Sequence, residues 1–223
     1  MKGKILRKKK VFFISASNGR SLQHSNPSSE IFEQVDFYNY SRGGMAITEI
    51  ENVFTNIGFS ENFLYIIFLG WNRIENFYDY PIKFLSALMS LLMKGFKPNN
   101  IIVIGALPKG KNYNDHQLQM NCVNKLLKEL DILGFKTFNS YQNLPSHLKR
   151  IPNLFGRTSQ TDGTFVHYGT DVRHFLHNSI AKMIGEYYKF RIQLVHKNHS
   201  LIPSLMDLQF ERSRKNTRLH PYN

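Results

Sequence analysis

Residues 11–22 read Val-Phe-Phe-Ile-Ser-Ala-Ser-Asn-Gly-Arg-Ser-Leu, an apolar run that becomes small and polar at its end. Such a run, closed by Asn-Gly, predicts a strand buried on both faces that leaves through a tight turn into a helix. Ser17 stands at that exit. In open α/β sheets reacting groups collect at the carboxyl ends of the strands, which makes Ser17 a candidate nucleophile.

Outward from this stretch the same alternation repeats. Residues 19–34 have mixed helical character interrupted by Asn26-Pro-Ser-Ser29, and residues 35–40 alternate like a second strand. Helical spacing returns over 45–57 through Ile47, Ile50, Val53, Phe54 and Ile57, with Gly58 as its stop. Residues 63–69 predict a third, fully buried strand, 80–96 a helix, 101–107 a fourth strand, 115–133 an amphipathic helix and 135–138 a short fifth strand. Residues 139–163 are polar and irregular, with Pro145 and Pro152, and deliver Asp162 and His167 to a last helix over 170–188. Strands alternating with helices predict a doubly wound parallel sheet with helices on both faces. If the strand order is flavodoxin-like, 2-1-3-4-5, strands 1 and 3 are neighbours at the switch point, and Ser17 shares a crevice with Asn72.

Composition bounds the rest. At 223 residues, with 42% hydrophobic and 13% aromatic residues, the chain suffices for one full-sized core. One domain is expected over 11–190, between a basic arm at 1–10 and a basic tail at 191–223. The sole cysteine, Cys122, excludes an internal disulfide framework and a multi-cysteine zinc site, and fits an intracellular setting. The longest apolar run, 63–69, is far below the ~20 residues of a membrane span. The lysine-rich start has too short an apolar segment for a signal peptide.

No Gly-rich phosphate loop occurs, Gly43-Gly44 alone being weak evidence for a nucleotide, so no cofactor is expected. Nor does the serine have the Gly-x-Ser-x-Gly elbow of the α/β-hydrolases. The Asn-x-Ser matches at Asn39 and Asn198 are too short to argue secretion. The net charge is +13, with excess lysine and arginine at both ends, including Arg212, Arg214, Lys215 and Arg218. Such arms attract nucleic acid or other polyanions through salt-sensitive electrostatics, or serve solubility alone.

Acyl transfer needs a nucleophile, a base and donors aimed at the developing oxyanion. Ser17 would attack, His167 would accept its proton, and Asp162 would orient the imidazolium. The Ser17 amide, the Gly44 amide and the Asn72 side chain would form the oxyanion hole. Alone, each has a plainer reading: turn or cap residues for Ser17 and Asn72, backbone freedom for Gly44, packing for His167. Their order is what points to a site, since three follow the first three strands and one precedes the last helix.

That order resembles the SGNH (GDSL-type) hydrolases, whose name lists these four residue types. Residues 15–22 look like the first block, Asn39-Tyr-Ser-Arg-Gly-Gly44 the second, and Leu69-Gly-Trp-Asn72 the third. Val103-Ile-Gly-Ala-Leu-Pro108 is similar to the strand and proline that usually follow, and His167 looks like the base of the fifth. The resemblance implies a flavodoxin-like three-layer α/β/α sandwich and a metal-independent serine esterase acting through an acyl-enzyme on a small-molecule, lipid or carbohydrate ester.

The Gly-Arg after the serine also resembles esterase-like domains of some retrotransposon-encoded proteins. Departures from the family pattern are Ser15-Ala16 in place of Gly-Asp, Arg73 where Asp is common, and Thr164 where an acid usually precedes the histidine; Asp162 is the nearest carboxylate. The alternative function is a catalytically silent domain of this type that binds nucleic acid or a partner through its basic arms and surface, with Arg20, Arg42 and Arg73 beside the site; if these arginines converge on one mouth, an anionic substrate such as a phospholipid or acidic glycan is favoured for the enzyme as well.

Overall fold

The computed structural model describes residues 8–20, 30–110, 112–155 and 167–189. Strand β1 (Lys9–Ser15) pairs in parallel with β2 (Val35–Asn39) on one side and β3 (Phe63–Phe68) on the other. β4 (Ile101–Ile104) and β5 (Lys136–Phe138) complete an all-parallel sheet of order β2-β1-β3-β4-β5. This is the expected doubly wound order. The period-2 pleat explains the unbroken apolar strands, because both faces are covered. Phe12, Ile14, Tyr65, Ile67, Ile101 and Val103 point into one core, whereas Val11, Phe13, Leu64, Ile66, Ile102 and Ile104 point into the other.

Short α1 (Ser17–Arg20) follows β1, and α2 (Ile50–Ile57) follows β2 after a 3-10 turn. α3 (Asp79–Met93) and α4 (Tyr113–Ile132) join α2 on the first core through residues such as Phe54, Phe84, Leu88, Val123 and Leu126. Beyond β5 come the single turns α5 (Ser140–Asn143) and α6 (Ile151–Leu154). α7 (Thr170–Tyr188) then packs Val172, Leu176, Ile180 and Ile184 on the second core. Three layers result. Among the described residues no helix is long and apolar enough to cross a membrane.

The departures from the predicted boundaries have physical causes. β1 begins at Lys9, so two lysines assigned to the arm are strand residues paired with Val35 and Asp36. Aromatic faces accommodate them: the Lys10 ammonium lies 5.4 Å from the Phe63 ring centroid and Lys9 5.9 Å from that of Tyr188. β4 stops at Ile104 rather than 107, because the Leu107 carbonyl accepts from Trp71 Nε1 at 2.9 Å and Tyr168 Oη at 3.1 Å instead of from a strand.

The predicted loop over 139–163 begins with helical turns that bury Leu144, Leu148 and Leu154. Pro152 sits in the first turn of α6, where a missing N–H costs nothing, rather than marking irregular chain. Of the helical character read over 19–34, α1 and the turns at 30–34 are seen; residues 21–29 lie outside the described residues.

Candidate active site

β1 delivers Ser15, Ala16 and Ser17 to its carboxyl end, where Ser17 becomes the first residue of α1. A first-turn amide has no intrahelical partner, which leaves the Ser17 N–H available to a bound oxygen. The turn is tight. Any side chain at Gly19 would collide with Ser15 Oγ and would lie 2.7 Å from Ser41 Oγ, so this position admits only glycine as the chain stands. Asn39, at the end of β2, holds the turn from the side: its Nδ2 donates to the Gly19 carbonyl at 3.2 Å, while its Oδ1 accepts from Ser41 N at 2.9 Å and from the Ser41 hydroxyl. Arg42 N donates to the Ser15 carbonyl at 3.0 Å, binding the second block to the first.

Gly44 adopts φ +72°, a left-handed conformation that favours glycine, within a turn closed by Met45 N donating to Arg42 O at 3.2 Å. Among the described residues its own N–H meets no backbone acceptor. Asn72 follows β3. One of its Nδ2 hydrogens goes to the Met45 carbonyl at 3.0 Å, which ties the loop of Gly44 to the loop of Asn72 and fixes the plane of the amide. The other hydrogen remains for a ligand. Arg73 takes φ +56°, an uncommon conformation for a residue with a Cβ, and one in which Asp and Asn are enriched. The substitution of Arg for the commoner Asp therefore carries a backbone cost at the turn that presents Asn72.

His167 is exposed and precedes the strand-like bridge between Tyr168 and Phe155. Three contacts hold its neighbours. Tyr168 N donates to Asn18 Oδ1 at 3.2 Å, Gly169 N donates to Leu154 O at 3.0 Å, and the Tyr168 hydroxyl reaches Leu107 O. Burial pushes the Tyr168 phenol far above its ordinary pKa, so it stays a donor.

These elements enclose one cavity of about 330 Å3 lined by Ser17, Gly44, Asn72 and His167, together with Trp71, Tyr168 and Lys109. Four of the five residues singled out from sequence are thus brought together; Asp162 lies outside the described residues. The aromatic residues expected near the site, Trp71 and Tyr168, are in its wall. The three arginines are not. Arg42 and Arg73 both pair with Glu49, Arg73 at 3.7 Å, a carboxylate anchored by Ala46 N at 3.2 Å.

Lys109 is the cation that the sequence reading overlooked, and its signal was positional: it ends the segment after the fourth strand, as Ser17 and Asn72 follow the first and third. Asn18 and Asn39 were also missed, their role being to position rather than react. A wider depression of about 530 Å3 lies over α2 between Tyr40, Arg42, Glu49 and Asn56, and none of Ser17, Gly44, Asn72 and His167 lines it. Among the described residues no group of three or more His, Cys, Asp or Glu is gathered as a metal site requires.

No protein-family model and no curated protein matches the chain. Solved structures do. A lipase/acylhydrolase from Enterococcus faecalis superposes with a TM-score of 0.58 over 84% of this chain and 98% of its own, at 12% identity. A lipolytic protein of the G-D-S-L family from Veillonella parvula gives 0.57 over 78% and 96%, at 15% identity. The fold is that of the GDSL-type acylhydrolases. An acetylxylan esterase from Geobacillus stearothermophilus matches equally fully, with a TM-score of 0.55 over 82% and 96% at 14% identity. The narrower likeness to retrotransposon-encoded domains gains no support from these neighbours. In a GDSL-type fold with this strand order, the ends of β1 and β3 must border the same crevice, which is where the cavity lies.

Proposed function

We propose that the chain is a serine acyl hydrolase that cleaves a small ester through an acyl-enzyme on Ser17. The observation that carries this reading is the cavity lined at once by Ser17, Gly44, Asn72 and His167. Ser17 Oγ attacks the ester carbonyl while His167 accepts its proton. The carbonyl oxygen, now an oxyanion, takes hydrogen bonds from the Ser17 and Gly44 amides and from the free hydrogen of Asn72 Nδ2. His167 returns the proton to the departing alcohol, and water attacking the acyl-enzyme by the same route regenerates Ser17. Asp162 is assigned the orientation of the imidazole. The cavity volume, at the small end of ligand sites, supports a short acyl group over a long chain.

The test is labelling by a fluorophosphonate probe together with hydrolysis of p-nitrophenyl acetate. Wild-type protein should label and turn over, and Ser17→Ala should lose labelling and roughly 10³-fold or more in kcat. Folded wild-type protein that neither labels nor shows Ser17-dependent turnover refutes the reading.

The net charge of +13 favours a second reading, in which basic ends bind nucleic acid whether or not the site reacts. Because β1 starts at Lys9, the informative truncation removes residues 1–7 and 191–223 and leaves the sheet whole. Loss of salt-sensitive RNA or DNA binding with esterase activity retained assigns the two properties to separate parts. Full nucleic-acid binding by the truncated chain removes the tails from that role.

A further inference from the structure

Lys109 shares the cavity wall with Ser17 and His167, and the surrounding chain holds it there firmly. Its backbone is clasped on both sides by one buried amide. Gln119 of α4, 1% exposed, accepts from Lys109 N at 2.8 Å through Oε1 and donates to Lys109 O at 3.1 Å through Nε2. From this fixed root the side chain crosses to the end of β3, where Nζ donates to the Trp71 carbonyl at 3.1 Å. An ammonium has three hydrogens, so two remain beyond that bond.

Among the described residues Lys109 forms no ion pair, and none of the residues lining the cavity is Asp or Glu. Arg42 and Arg73 show the contrast, since both are paired with Glu49. Burial without a counter-charge pushes the Lys109 amine below its ordinary pKa, the direction expected of a cation placed where water screens it poorly. A half-buried cation that meets no carboxylate among the described residues would cost desolvation in a site for neutral esters and return nothing to binding. Opposite an anion it returns a charge-assisted hydrogen bond.

We propose that Lys109 makes the cavity selective for esters that carry an anionic group, a carboxylate or phosphate, close to the scissile bond. This rests on Ser17 being the nucleophile. The ammonium binds the substrate's anion through the hydrogens not directed at Trp71, while the ester carbonyl lies against Asn72 on the next residue of the same loop. The Trp71 carbonyl thus connects the anion-binding group to the oxyanion-binding group.

The experiment compares kcat/KM for mono-p-nitrophenyl succinate, which bears a carboxylate, with that for neutral p-nitrophenyl acetate, in wild type, Lys109→Met and Lys109→Arg. Wild type should favour the succinate ester, and Lys109→Met should lower the succinate-to-acetate ratio ~10- to 100-fold, mostly through KM, with Lys109→Arg recovering part of it. Raising the salt concentration should narrow the wild-type preference. An unchanged ratio, even with both rates reduced, overturns the proposal and leaves Lys109 as a group that only positions the Trp71 loop.

A second arm needs no turnover. Trp71 is the sole tryptophan and lines the cavity, so its fluorescence reports occupancy by monomethyl succinate. Saturable binding that weakens at least tenfold in Lys109→Met supports the proposal, and equal or absent binding overturns it. Failure of Ser17 to label with the fluorophosphonate strikes the hydrolase reading instead, so the two failures are distinguishable.

Discussion

The site has two halves built in different ways. The half proposed to hold the nucleophile, Ser17, Gly44 and Asn72, stands on the ends of β1, β2 and β3 and is laced together by bonds to backbone carbonyls: Arg42 N to Ser15 O, Asn39 Nδ2 to Gly19 O, and Asn72 Nδ2 to Met45 O. Each bond joins two strand ends of the same sheet. The half proposed to supply the base, His167, stands before α7, where its neighbour joins it to the nucleophile turn, Tyr168 N donating to Asn18 Oδ1. In the proposed reaction the half on the strand ends would stabilise charge and the half before α7 would move protons. Oxyanion stabilisation depends on donors preorganised at the developing charge, whereas a base can tighten its hydrogen bond when substrate arrives.

The contrast yields graded expectations. Asn72→Ala removes the proposed oxyanion donor and the link to Met45 together, and should lower kcat roughly 10²- to 10³-fold with KM little changed. A loss below tenfold would show that the rigid half does not depend on its side-chain donor. Asn18→Ala removes the acceptor of Tyr168 N beside the proposed base. It should lower kcat roughly tenfold, a misplacement effect smaller than loss of the group itself, while fluorophosphonate labelling at saturating probe persists. An effect as large as that of Asn72→Ala would erase the distinction between the halves.

Arg73→Gly should stabilise the fold by about 0.5–1 kcal/mol in urea unfolding, through relief of the left-handed backbone offset in part by glycine's greater unfolded freedom. Destabilisation would mean that the Arg73 contact with Glu49 outweighs the backbone term.

The smallest effect concerns pH. His177 of α7 is buried, stacked on Phe32 with centroids 4.6 Å apart, and its pKa is lowered by burial and then by His174. A group whose folded pKa lies below its unfolded value contributes stability that is complete above the unfolded value, near 6.5, and is lost as pH falls through the folded one. Acid should therefore loosen α7 before the β1–β3 core, seen as earlier amide exchange in 170–188, and His177→Phe should suppress the difference.

Much of this architecture is legible in the chain, for identifiable reasons. Strands buried on both faces are unbroken apolar runs, and Gly58 and Gly134 mark helix ends where φ is positive. Strand order then obliges residues after β1 and β3 to meet, so Ser17 and Asn72 are local readings with a global consequence. What cannot be read locally is pairing across the fold. The Glu49 carboxylate that draws Arg42 and Arg73 is indistinguishable in sequence from any solvated acid, and the Gln119 clasp on Lys109 joins a loop to a helix ten residues away. The end of β4 is hidden in the sequence because Leu107 is as apolar as a strand residue, and only the side chains of Trp71 and Tyr168 reveal that its carbonyl is taken.

The crowding at Gly19 bears on how this chain can change over generations. Ser15 and Gly19 occupy one shared volume, with Ser41 at its border, so neither position can drift alone toward a larger residue. The path that lets 19 acquire a side chain must first shrink 15 to glycine, the residue that the hydrolases it resembles usually carry there. The order of those two steps is fixed by sterics: Ser15 can shrink while Gly19 stays bare, but Gly19 cannot gain a side chain while Ser15 keeps its own.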